Sequence, residues 1–157
     1  EAAYRSLTLS WFEHSSLLDI FKLIADNGCD VIITTDHGTV RVDEPSKVVG
    51  DRNTNTNLRY KQGKNLSYVK RDVFEIKRPE EAFLPQLNVS STYIFAKDTK
   101  FFVYPNNYNH YMNYYKDTFQ HGGISLEEVI IPIIKMRSKT TKKKEMPKND
   151  KYDRYKR

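Results

Sequence analysis

One run of six residues, Asp30-Val31-Ile32-Ile33-Thr34-Thr35, constrains the fold of this chain more than any other. It is short, rich in β-branched side chains and free of polar alternation, a pattern that suits a strand covered on both faces at the centre of an α/β sheet. A helix leads into it. Ser15 or Ser16 can cap that helix, and Asp19 stands three residues beyond Ser16 as in a capping box. Leu17, Ile20, Phe21 and Ile24 follow at helical spacing, and Asn27-Gly28 closes it. Asp36-His37-Gly38 lies just past the run, where ligands of open α/β sheets collect.

Further on, Thr39-Val40-Arg41-Val42 reads as extended and residues 50–57 as a polar loop. Residues 91–96 and 101–104 are aromatic and β-branched, joined by Lys97-Asp98-Thr99-Lys100, and they predict a hairpin. The tyrosine-dense segment 108–115 predicts a helix. After Phe119-Gln120-His121-Gly122-Gly123, the run Ser125-Leu126-Glu127-Glu128 forms a second capping box that opens a short helix. No internal repeat is present.

The 157 residues have the length of one domain, and the formal charge of +6 is unevenly spread. Residues 135–157 hold eleven Lys or Arg against three acidic residues, so the rest of the chain is close to neutral. Residues 137–157 therefore read as a basic, disordered, solvated tail. That reading is preferred to nucleic-acid binding, because no recognition motif accompanies the lysines. Residues 1–136 read as the globular part. The single cysteine, Cys29, precludes an internal disulfide, no export signal opens the chain, and no apolar run can span a membrane. A cytoplasmic location without membrane insertion is expected.

Asp36 and His37 offer one oxygen and one nitrogen to a divalent cation such as zinc. Adjacent side chains on a strand point to opposite faces, so both reach one ion only where the backbone turns, and Gly38 allows that turn. Without further context, a loop aspartate beside a half-buried histidine explains the same tripeptide. His121, followed by two glycines ahead of a capped helix, is placed where the backbone can approach a site closely; it also reads as a plain loop histidine. His14 reads as a surface helix-entry residue, and His110 as part of an amphipathic helix. Lys47, Arg52, Arg59, Lys61 and Lys64 suit either substrate phosphates or a solvated strand face.

Residues 31–38 and 121–132 together resemble the PglZ branch of the alkaline phosphatase superfamily, with the likeness extending roughly from Ser6 to Met136. Residues 48–52 and 57–61 look closest to PorX-type response regulators of Bacteroidetes. The resemblance implies the C-terminal portion of an alkaline-phosphatase-like α/β sandwich with a central mixed or parallel sheet. It implies phosphomonoester or phosphodiester hydrolysis with two divalent metal ions, zinc by analogy, on a phosphate-ester substrate such as a nucleotide or oligonucleotide. Asp36 and His37 would hold one metal and His121 the other. The family's nucleophile, its early aspartate ligand and its Asp-x-x-x-His pair have no counterpart here, so the nucleophile is expected upstream and the chain alone is expected to be inactive. The PorX-type likeness further implies type IX secretion, an output domain of a two-component regulator, and a histidine kinase acting through a receiver domain. The alternative is a non-catalytic effector module whose metal site is structural or binds a ligand. A central strand lacking neighbours would favour association, so a homodimer is expected.

Overall fold

The computed structural model describes residues 2–86 and 88–139. In chain order these form helices α1 (Ala2–His14) and α2 (Ser16–Asp26), then strands β1 (Val31–Thr34), β2 (Val40–Arg41), β3 (Glu44–Val49), β4 (Tyr60–Gly63), β5 (Ser67–Tyr68), β6 (Val73–Ile76), β7 (Thr92–Ala96) and β8 (Lys100–Val103). Helix α3 (Tyr108–Tyr115), β9 (Phe119–Gln120), α4 (Leu126–Val129) and β10 (Ile133–Met136) complete the order. Among the described residues, those up to Thr34 and those from 132 to 139 belong to one compact unit, and Thr35–Ile131 to the other. Most of the expected tail, residues 140–157, lies outside the described residues.

In the first unit, Ser15 caps α2 by accepting the Leu17 amide at 3.3 Å. The helix ends where Gly28 takes φ +71° and returns its amide to the Ala25 carbonyl at 2.9 Å. Helix α1 was not foreseen from the sequence. His14 is its last residue, with Nδ1 2.7 Å from the Ser10 carbonyl, and so it closes a helix where an entry residue was expected. Strand β1 pairs antiparallel with β10, Val31 opposite Met136 and Thr34 opposite Ile133. Val31 and Ile33 are half-buried while Ile32 is 66 % exposed, so the run is covered on one face and not, as expected, on both. No helix among the described residues is long and apolar enough to cross a membrane.

The second unit contains two three-stranded sheets. One has the order β5-β3-β8 with β3 and β8 parallel; the other, β4-β7-β6, is antiparallel. Strands β2 and β9 form a separate antiparallel pair. The described strands thus make a mixed α/β fold of small sheets, one of them mixed.

Alternation along β8 explains how the core is divided. Phe102 packs with Val48, Val73, Ile94 and Ala96, while its neighbours Phe101 and Val103 join Val40 and Val42 in a second cluster. Tyr108 and Tyr115 of α3 pack against that second cluster, and His110 stays exposed beside Tyr111 and Tyr114. Strands β7 and β8 are both buried on consecutive residues and so are covered on both faces.

The expected hairpin between β7 and β8 does not form. The Leu58 carbonyl accepts the Phe102 amide at 2.8 Å, and the Arg59 carbonyl accepts the Ala96 amide at 2.8 Å. The backbone leading into β4 thereby takes the hydrogen bonds a hairpin would need, and the two strands enter different sheets.

Candidate functional site

The Asp36 loop and the His121 loop meet in the second unit. The His37 and His121 rings stack with centroids 3.7 Å apart and planes 11° apart. His37 Nδ1 lies 2.9 Å from the Gly38 carbonyl oxygen. Since that oxygen only accepts, Nδ1 is the donor in this contact, which leaves Nε2 as the ring nitrogen available for other work. Asp36 Oδ1 stands 3.6 Å from His37 Nε2, and its side chain is 89 % exposed.

This spacing suits two corners of a metal site, since donors about 2.1 Å from a tetrahedral zinc lie roughly 3.4 Å apart. The Gly38 carbonyl orients the imidazole as outer hydrogen-bond partners of metal-binding histidines do. Among the described residues, however, no group of three or more His, Cys, Asp or Glu is placed to hold a metal ion. Asp36 and His37 fit part of a centre, and a complete one does not form from the described residues alone.

Short helix α4 sits against both loops. The Gly38 amide donates to the Glu128 carbonyl at 2.8 Å, and a Cβ at Gly38 would collide with the Glu127 carbonyl oxygen. The Glu128 carboxylate accepts the Gly123 amide at 2.9 Å and the Ser125 amide at 3.3 Å, the latter being its part of the capping box. Gly122, at φ +99°, passes beside the Asn57 amide group, and Asn57 Nδ2 donates to the His121 carbonyl at 3.3 Å.

We expect Gly38→Ala to destabilise the fold by about 1–3 kcal/mol, because backbone atoms of α4 must move to admit one methyl group. Urea unfolding would measure this, and an unchanged midpoint would refute the close approach.

Two basic residues that read as candidates for a solvated face are buried instead. Arg59 pairs with Glu128 through two 3.0 Å bonds, Nε to Oε1 and Nη2 to Oε2, with both side chains at most 1 % exposed. Its Nη1 also donates to the Lys100 carbonyl. Burial alone would raise the Glu128 pKa; the Arg59 guanidinium, the Gly123 amide and the Ser125 side chain outweigh it and hold the carboxyl below its ordinary value. Lys61 is 1 % exposed, donates to the Asn55 carbonyl at 2.9 Å and lies 4.8 Å from the Tyr104 ring centroid. Burial brings its pKa down to about 8. Sequence reasoning missed both roles, as it missed Asn57. For Glu128 a signal existed, its place at the end of the capping box.

A groove of about 450 Å³ lies beside the His121 loop, lined by Gly122 together with Tyr60, Gln62, Leu84, Pro85, Tyr93 and Phe95. The three aromatic rings lie 6.1–6.4 Å apart with planes within 27° of one another.

The chain carries an alkaline phosphatase-like domain, of mixed α/β architecture. The family model of the BREX system PglZ alkaline phosphatase-like domain matches residues 6–136, and the chain belongs to that PglZ family. No curated protein matches the chain.

Proposed function

We propose that the chain forms part of a two-metal phosphoester hydrolase site, with Asp36 and His37 serving one divalent ion and His121 a second. The observation that carries this reading is the ring-on-ring placement of His37 and His121 beside the Asp36 carboxylate. Bound zinc ions would supply charge neutralisation at a phosphoryl group and lower the pKa of a coordinated hydroxyl. The chain's own part is to hold donors in place. Gly38 O fixes the His37 ring with Nε2 free, and the Gly122-Gly123 backbone lets His121 approach closely.

The nucleophile and remaining ligands come, on this proposal, from residues other than those described, and the chain by itself is inactive. Residues 1–136 act as the C-terminal part of the hydrolase domain. The aromatic groove beside Gly122 supports a substrate carrying a flat ring, such as a nucleotide phosphoester. The likeness of residues 48–52 and 57–61 to PorX-type regulators supports a cytoplasmic output domain governed by a histidine kinase. A homodimer belongs to the same proposal, since Ile32, Ile133 and Ile134 are at least half exposed.

Metal analysis and hydrolysis of bis(p-nitrophenyl) phosphate by a protein with the complete ligand set test the proposal. We expect zinc to be retained and His121→Ala to abolish turnover; full activity in that variant would remove His121 from the site. A non-catalytic effector module is the second reading, favoured by the absence of a three-donor cluster among the described residues. Zinc retention without hydrolysis of any phosphoester would select it.

A further inference from the structure

We infer that Glu128 is a positioning residue that sets how His37 and His121 face each other. The inference rests on the proposed function only in taking those two histidines as the site. Glu128 is one residue with two reaches. Its backbone carbonyl takes the Gly38 amide, next in the chain to His37, and its carboxylate takes the Gly123 amide, two residues past His121. The side chain is 1 % exposed, so water cannot replace these partners.

Helix α4 is four residues long and cannot hold its own geometry, because a single helical turn is an unfavourable nucleus. Its stiffness comes from outside, through the two-point grip of the Arg59 guanidinium on the carboxylate. Arg59 is itself anchored, since its own amide donates to Asn57 Oδ1 at 2.7 Å, and Asn57 Nδ2 holds the His121 carbonyl. The loop glycines leave no slack: a Cβ on Gly38 would strike the Glu127 carbonyl oxygen, and one on Gly123 would strike the Glu128 carboxylate. Movement of Glu128 must therefore be felt at both histidines.

The test is NMR on the full chain without metal or substrate, comparing wild type with Glu128→Gln and with the milder Arg59→Lys, which keeps the charge but loses the planar fork. In wild type the His37 and His121 ring protons should carry mutual ring-current shifts, and the Gly38 and Gly123 amides should be protected from exchange. In each variant that folds, we expect the ring-current shifts of both histidines to be lost and protection to fall at Gly38 as well as Gly123. A purely structural role would lower stability yet leave the histidine shifts of the folded fraction unchanged, and that outcome overturns the proposal. Because the readout needs no turnover, it stands or falls separately from hydrolase activity.

Discussion

Arg59→Met is expected to lower the unfolding free energy by roughly 3–5 kcal/mol, the usual cost of breaking a buried ion pair from one side. The substitution leaves the Glu128 carboxylate charged at 1 % exposure, with only the Gly123 and Ser125 amides to stabilise it. It also deprives the Lys100 carbonyl of a donor. In many proteins a buried pair can be replaced by two apolar side chains at little cost. Here Arg59→Met with Glu128→Leu should remain destabilised, because the Gly123 and Ser125 amides lose their acceptor, at about 1–3 kcal/mol for each that stays buried. Urea unfolding of the single and double variants measures both effects. A double variant as stable as wild type would show that those amides find other partners.

The same carboxylate sets the acid limit. Its folded-state pKa lies below the ordinary 4.5. Its stabilising contribution is therefore complete above pH 4.5 and is lost as the pH falls below that value through the lowered folded pKa.

The second large effect lies at alkaline pH. Lys61 holds its proton less tightly in the folded protein, at about 8 against 10.5. Between those values the unfolded chain binds the proton and the folded one does not, so stability rises with pH, by roughly 2 kcal/mol between pH 8 and 10. Above about pH 10 the trend reverses. Burial raises the pKa of Tyr68 to about 12 and also raises those of Tyr93 and Tyr104, so the folded state then keeps protons that the unfolded state has released. Lys61→Met should abolish the rise between pH 8 and 10 while leaving the fall above it. Thermal unfolding across that range decides the matter, and an undiminished rise in the variant would assign the slope to another group.

What was legible in the sequence was local. The cap at Ser15, the stop at Gly28, the tyrosine helix 108–115 and the capping box at Ser125 each depend on residues within a turn of one another, and all are present. Asp36, His37 and His121 were singled out by the glycines beside them, and the structure brings the two rings together across 84 positions of chain. The misses were non-local. Nothing in residues 91–104 indicates that Leu58 and Arg59 will take the hydrogen bonds of their expected hairpin. Likewise a basic residue in a polar neighbourhood gives no sign that its carboxylate partner lies 69 positions away. The β-branched run at Val31 and the aromatic run at Phe101 have similar local character, and only the tertiary fold decides that the second is covered on both faces.

The parallel pairing of β3 with β8 also has a consequence for how the protein is made. Ser46 of β3 lies opposite Phe102, so 56 residues separate the partners. At a ribosomal rate of about 5–20 residues per second, the earlier strand waits roughly 3–11 s for its neighbour to be polymerised, and longer for it to clear the exit tunnel. During that interval Val48, fully buried in the finished protein, has none of the β8 side chains to pack against. The nascent chain thus passes through a stage in which part of its future core is apolar surface, the stage at which chaperone contact and misassembly compete with folding.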